Sequence, residues 1–130
     1  MIERIGLEEG NPLRLPMVPA VRAGDFVFVS GQAALDEDGN MIDGGIKAQT
    51  HRTIQRLIMV LKTAGCGVTD VVKATVWLDD PRDFGAFNKV YAEYFGAAPP
   101  ARSTLVSPLV IDGKVEIELI AYKPLSDTGP

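Results

Sequence analysis

Few side chains in this sequence could do covalent or acid–base chemistry, and their scarcity narrows the field. There is one histidine, His51, and one cysteine, Cys66. His51 falls inside a helical stretch with no second histidine four residues away, so a metal site built on it would lack ligands and no metal is expected. Cys66 lies in Gly65-Cys66-Gly67 after a helix end, without a neighbouring base or a helix amino terminus to stabilise its thiolate, and reads as an incidental thiol. The glycines at Gly44-Gly45 and Gly65 to Gly67 match neither the dinucleotide-binding nor the P-loop pattern, so no nucleotide cofactor is implied. What remains is Arg102, opening a strand after Pro99-Pro100, and Glu116, a carboxylate on a later strand that could lie beside it. Two readings of this pair stay open. In one, the charges form a partly buried ion pair that fixes strand order or an interface, and residue types alone favour it. In the other, the planar fork of Arg102 grips a carboxylate-bearing ligand, at ~1.5 to 3 kcal/mol per charge-assisted bond, and Glu116 is left to handle water.

The elements that must hold these groups follow from hydrophobic period and turn chemistry. Ala20 to Arg22 and Phe26 to Val29, separated by Gly24 and Asp25, predict a hairpin. Phe26 to Val29 is apolar at every position, which predicts a strand covered on both faces. Asp36 to Asn40 is loop chemistry. Beyond Gly44-Gly45, the spacing of Ile54, Leu57, Ile58, Leu61 and Ala64 predicts an amphipathic helix that stops at Gly65. Val71 to Leu78 reads as a strand and is closed by Asp79-Asp80-Pro81. A second helix follows, capped by Asp83, striped by Phe84, Phe87, Tyr91, Tyr94 and Phe95, and ended by Gly96; the aromatic stripe reads as core. Ser103 to Val106 is a strand that places Arg102 at its start. In the last strand, Val115, Ile117, Leu119 and Ala121 point one way and Glu116, Glu118, Ile120 and Tyr122 the other.

These elements predict an α+β domain over residues 17–123: a single mixed, largely antiparallel sheet with both helices on one face. Residues 1–16, with mixed charge and Gly10, Pro12 and Pro16, form a loosely packed lead-in with room for one short strand, and 124–130 a polar tail expected to fray. The sheet's other face is left bare, so a closed homo-oligomer is expected to cover it.

Composition bounds the partners. At 130 residues and 46% hydrophobic the chain can bury one real core. No apolar run approaches the ~18 residues needed to span a bilayer, and no secretory pattern opens the chain, so no membrane partner is expected. A lone cysteine fits a reducing compartment, and a cytoplasmic setting is expected. The net charge of −4 gives no general pull towards nucleic acid, and the one basic cluster, His51, Arg52, Arg56 and Lys62, reads as a solvated helix face.

From about Pro16 to Tyr122 the sequence resembles the Rid family, the reactive intermediate deaminases, also called RidA/YjgF-like. The resemblance runs through Gly24-Asp25-Phe26-Val27-Phe28-Val29-Ser30-Gly31-Gln32, Lys73-Ala74-Thr75-Val76-Trp77-Leu78, Phe87-Asn88, Pro100-Ala101-Arg102-Ser103 and Val115-Glu116-Ile117-Glu118. It implies the trimeric chorismate mutase-like fold, a homotrimer with sheets packed around the threefold axis and a site at each subunit interface. It further implies that Arg102 binds a substrate carboxylate and that Glu116 places the attacking water. Ser30 and Gly31 would line the pocket, with Asn88 near the site or the subunit interface. The implied reaction is cofactor-free hydrolysis of a carboxylate-bearing enamine or imine, such as 2-aminoacrylate, to a 2-keto acid and ammonia.

Two substrate-side positions depart from the family's pattern. Many of its deaminases carry a tyrosine where this chain has Met17, and some carry a cysteine where it has Thr104. The first change implies a softer pocket suited to imines with bulkier or apolar side chains. Rival readings are a noncatalytic ligand-binding or regulatory member and a specialised aminomuconate-type deaminase. Ribonuclease or translation-inhibitor activity, which some family labels carry, fits poorly with a net charge of −4 and a single histidine.

Overall fold

The computed structural model describes residues 1–6 and 15–125. In chain order these form β1 (Ile2–Ile5), β2 (Ala20–Ala23), β3 (Phe26–Gln32), α1 (Ile46–Thr63), β4 (Val71–Leu78), α2 (Phe84–Phe95), β5 (Ala101–Val106) and β6 (Val115–Tyr122). The strands make one six-stranded sheet in the order β1-β2-β3-β6-β4-β5. Every neighbouring pair is antiparallel except β4 with β5, whose parallel pairing needs a crossover, supplied by α2. The expected class, mixed α+β with two helices on a largely antiparallel sheet, is the observed one.

Strands β2 and β3 form the predicted hairpin, with Ala23 opposite Phe26 and a two-residue turn in which Gly24 takes φ +61°. That left-handed conformation suits glycine, which has no Cβ to clash with the backbone. Along β6, Val115, Ile117, Leu119 and Ala121 are fully buried and their alternates are not, the period-2 pattern read from the sequence. Their neighbours Ala74, Val76 and Leu78 on β4 and Val27 and Val29 on β3 share the buried face, and Ile54, Leu57, Leu61, Phe87 and Phe95 of the helices close over it.

Within the chain β3 is covered on one face: Val27 and Val29 are buried, while Phe26 and Phe28 are 42% and 45% exposed on the open face beside Ile120 and Tyr122 of β6, the face expected to be left bare by the helices. Three local expectations are corrected. First, Asp83 occupies the position before α2 but its side chain caps nothing; Asp80 instead accepts from the Arg82 backbone N–H at 2.9 Å and binds the Arg82 guanidinium. Second, Arg52 and Arg56 do not simply point into solvent. Arg52 Nε donates to the Leu35 carbonyl at 2.6 Å and Arg56 NH2 to the Gln32 side chain at 3.0 Å, tying the end of β3 and the segment after it to α1. Third, the strand that carries Arg102 begins at Ala101, so Arg102 is its second residue.

The lead-in contributes its short strand: β1 pairs with β2 at the sheet edge, so the sheet reaches back before residue 17. Residues 7–14 of the lead-in and 126–130 of the tail lie outside the described residues. A feature the sequence did not announce is Arg22, 4% exposed on β2. It donates to the carbonyls of Gly24, Ala64 and Lys123, joining the hairpin turn, the end of α1 and the end of β6.

Candidate active site

The sheet's register separates the two charges that the sequence placed side by side. Arg102 pairs with Ala74 of β4, a fully buried residue, so Arg102 points to the helix side of the sheet. Glu116 pairs with Trp77 of β4, on the opposite, open face. Strand β4 also lies between β5 and β6. The two side chains therefore cannot meet within one chain, and among the described residues no carboxylate pairs with Arg102. The intrachain ion-pair reading is overturned by strand order and pleat.

Arg102 is held instead by aromatic rings. Its guanidinium carbon lies 4.7 Å from the centre of the Tyr91 ring, 5.5 Å from Phe87 and 5.8 Å from Phe84. Each ring face carries partial negative charge and attracts the cation, most strongly where water is excluded. These rings are spaced i, i+3 and i+7 on α2, so a helical stripe read from the sequence as core also braces the arginine. Phe87 and Tyr91 are buried, whereas Phe84 remains 45% exposed at the outer end of the bracket. Burial pushes the Tyr91 phenol up, and the charge of Arg102 partly offsets the shift. Asn88, half-buried and one helical turn after Phe84, lies on the same stripe. Thr104, two residues after Arg102, shares its side of the sheet opposite Val76. Arg102 and Thr104 thus share one side of β5 at the sheet edge, and Asn88 lies on the helix that carries the aromatic bracket.

The remaining predicted residues gather on the open face around a bulge in β3. Val29 pairs with Leu119 and Gln32 with Ile117, so Ser30 and Gly31 together face the single residue Glu118. The bulge brings Gly31 against Glu116: a Cβ at this position would collide with the carboxylate Oε2 and lie 3.2 Å from its Cδ. Glycine at this position lets the carboxylate pack against the backbone. Ser30 Oγ donates to the Val18 carbonyl at 2.6 Å, and Ser30 N–H to that of Pro19 at 2.9 Å, so the bulge is also anchored to the segment that enters β2. Glu116 is half-buried, and its side chain makes no hydrogen bond to a described residue. Burial, and after it the like charge of Glu118, pushes its carboxyl above the ordinary value of 4.5.

Next to Ser30 opens a cavity of about 520 Å³ lined by Arg4, Leu15, Pro16, Met17, Val18, Val21 and Ser30. That volume lies within the usual range for small-molecule sites. Met17, about half exposed, is one of its walls. Arg4 was missed: it belongs to β1, in the lead-in, and only the pairing of Arg4 with Val21 shows that it shares the open face. The chain thus carries two separate candidate groups, a cationic one at the β5 edge and a carboxylate-bearing one on the open face.

Neither residue set aside in the sequence joins them. His51 Nδ1 lies 2.9 Å from the Tyr94 hydroxyl, between the two helices. Cys66 is buried, and burial, followed by the charge of Asp70, raises its thiol pKa, opposite to what a nucleophile needs.

Comparison with known proteins places this arrangement. Residues 12–123 match the family described as endoribonuclease L-PSP. A RutC family protein from Pyrococcus abyssi is 46% identical over 110 residues, covering 83% of this chain and 87% of its own. A goat (Capra hircus) protein named 2-iminobutanoate/2-iminopropanoate deaminase is 41% identical over 110 residues, covering 83% of this chain and 80% of its own. The crystal structure of E. coli TdcF with bound serine superposes with a TM-score of 0.83 at 30% identity, covering 93% of this chain and 98% of that one. The chain belongs to the endoribonuclease L-PSP family, the YjgF/RidA family whose motifs its sequence carries.

Proposed function

We propose that this protein is a cofactor-independent hydrolytic deaminase of reactive, carboxylate-bearing enamines and imines such as 2-aminoacrylate, yielding 2-keto acids and ammonia. The observation that carries the reading is Arg102: a half-buried guanidinium, stacked on three rings and without a carboxylate partner among the described residues, is preorganised for a carboxylate that comes from outside the chain. The name of the goat relative and the serine bound to TdcF are consistent with small amino- or imino-acid ligands in this family.

In this reading the protein works as a homotrimer, in which Arg102, Asn88 and Thr104 of one subunit face Met17, Ser30, Gly31 and Glu116 of the next. Two features support it: the half-sites cannot meet within one chain, and the open face carries partly exposed Phe26, Phe28 and Tyr122, which a neighbouring subunit would cover. The lone cysteine fits a cytoplasmic setting. Among the described residues no helix is long and apolar enough to cross a membrane.

The chemistry asks little of the protein beyond placement. An enamine such as 2-aminoacrylate first tautomerises to the imine, its nitrogen losing a proton as C3 gains one; the imine carbon is already electrophilic, so water can add once oriented. Arg102 holds the substrate carboxylate. Glu116 accepts a proton from the attacking water as its oxygen bonds to C2, and the proton passes to the nitrogen. The resulting carbinolamine loses ammonia when its hydroxyl proton is transferred through the same carboxylate to nitrogen and the C–N bond breaks. One water is consumed, and one keto acid and one ammonia are released. A carboxyl with a raised pKa is suited to both transfers.

The test is ammonia release from an imine generated by a dehydratase or amino-acid oxidase. Arg102→Ala is expected to abolish it with fold and assembly intact, and full activity in that variant refutes the assignment. Light scattering should report a trimer; a stable monomer at micromolar concentration would refute the shared site.

A further inference from the structure

The cavity beside Ser30 has a charge layout that says more than its volume. Leu15, Pro16, Met17, Val18 and Val21 make its walls apolar, and Arg4 is the only ionisable side chain among the described lining residues. Arg4 forms no ion pair or hydrogen bond with a described residue through its side chain, and its backbone is fixed on β1 by pairing with Val21. At the other end Ser30 leads directly to Gly31, against which the Glu116 carboxylate is packed. The open face therefore presents, in order, a carboxylate, an apolar wall and an uncommitted guanidinium.

We infer that Arg4 selects imine substrates whose side chain ends in an anion, so that the preferred class is 2-imino dicarboxylates. The inference rests on the deaminase reading, because it takes the reacting carbon to lie at Glu116. A substituent leaving that carbon away from Glu116 enters the apolar cavity. Methylene groups match its walls, and a terminal carboxylate meets the guanidinium of Arg4. Met17 alone implied a pocket for apolar side chains; the cation at the far end changes that expectation, since an anionic terminus adds a charge-assisted contact to the exposed Arg4 guanidinium that an apolar substituent cannot make. The substrate's first carboxylate remains with Arg102, so the two arginines would read the two ends of one molecule.

The experiment compares imines generated in situ from glutamate and from leucine, which have side chains of similar length but different terminal charge. The keto acids formed are measured against a competing trap for the free imine. The wild-type protein is expected to favour the glutamate-derived imine in kcat/KM by about tenfold, the scale of one partly exposed charge-assisted contact. Arg4→Gln should bring that ratio close to one, mainly by raising KM for the dicarboxylate, and Arg4→Lys should retain much of the preference. A wild-type ratio at or below one, or an Arg4→Gln ratio equal to the wild type's, overturns the assignment of Arg4. Turnover of neither imine overturns the deaminase reading itself, so the two failures are distinguishable.

Discussion

Gly31→Ala separates fold from function more cleanly than any change to a charged residue. The backbone at Gly31 has no positive φ, so alanine is conformationally acceptable, and loss of unfolded-state freedom would stabilise by ~0.4 to 1 kcal/mol. The obstacle is local. The new methyl would collide with Oε2 of Glu116 and crowd its Cδ at 3.2 Å and Cγ at 3.4 Å. These atoms end a flexible, half-buried side chain, so the carboxylate can swing away without moving the sheet. The oxygen must move by roughly 1 Å to reach ordinary contact, a displacement that can lower catalysis on the order of 100-fold when it misplaces a reacting group. We therefore expect Gly31→Ala to keep its Tm within a few degrees of the wild type and its oligomeric state unchanged, while kcat/KM for imine hydrolysis falls by about two orders of magnitude. Thermal unfolding and the coupled ammonia assay measure both. Full activity with a folded protein would show that the position of Glu116 does not matter, and unfolding would show that the bulge has no room to relax.

Four further outcomes follow from the structure. Because burial and Glu118 raise the Glu116 carboxyl, the acidic limb of the kcat/KM profile should lie above the ordinary carboxylate range, and Glu118→Gln should move it to lower pH; an unmoved limb excludes Glu116 as the titrating group. The linked stability has a definite sign: a carboxyl whose pKa rises on folding holds its proton more tightly in the native state, so its destabilising effect grows as pH rises from about 4.5. Glu116→Gln should accordingly raise Tm at neutral pH but not at pH 4. Phe84→Ala removes the exposed ring of the Arg102 bracket and should raise KM about two- to fivefold, the equivalent of ~0.5 to 1 kcal/mol of cation–π attraction, with little change in Tm; a kcat effect without a KM effect would refute the bracket's role in carboxylate binding. Arg22→Met leaves three carbonyls without their charged donor and should cost about 2 to 4 kcal/mol in denaturant unfolding, whereas a loss below about 0.5 kcal/mol would mean that water replaces it.

The fold was legible wherever a residue's neighbours in sequence decide its environment. The alternation of Val115 to Tyr122, the two-residue turn at Gly24 and the end of α1 at Gly65, where φ is +80°, all obey local rules and were read correctly. The errors share a different cause. Whether Arg102 and Glu116 meet depends on the order of β6, β4 and β5 and on which way the pleat turns each side chain, neither of which is written near either residue. Arg22 reads as an ordinary strand arginine until three separate segments converge on it. Arg4 lies in a stretch with no clear period, and only its partner strand assigns it a face. Asp80 and Asp83 both precede α2, and the choice of cap turned on the short helical turn Pro81–Asp83, which a pattern reading does not resolve.

Separation of the two charges has a physical advantage that adjacency would forfeit. Had Arg102 and Glu116 faced each other within one half-buried site, the pair would have satisfied itself, and an incoming carboxylate would have to displace Glu116 before binding. The guanidinium would then discriminate poorly, and the carboxylate, stabilised by the arginine, would have a lowered pKa unsuited to moving protons near neutrality. On opposite faces each group keeps the property it needs. Arg102 is braced by ring faces that orient it, and among the described residues no carboxylate lies beside it. Among the described residues no cation lies beside Glu116, and burial, followed by Glu118, raises its pKa. The cost is that neither half is complete alone, so on this reading assembly is a condition of activity, and the arginine that seemed most suited to an internal ion pair is kept free because the sheet prevents it from making one.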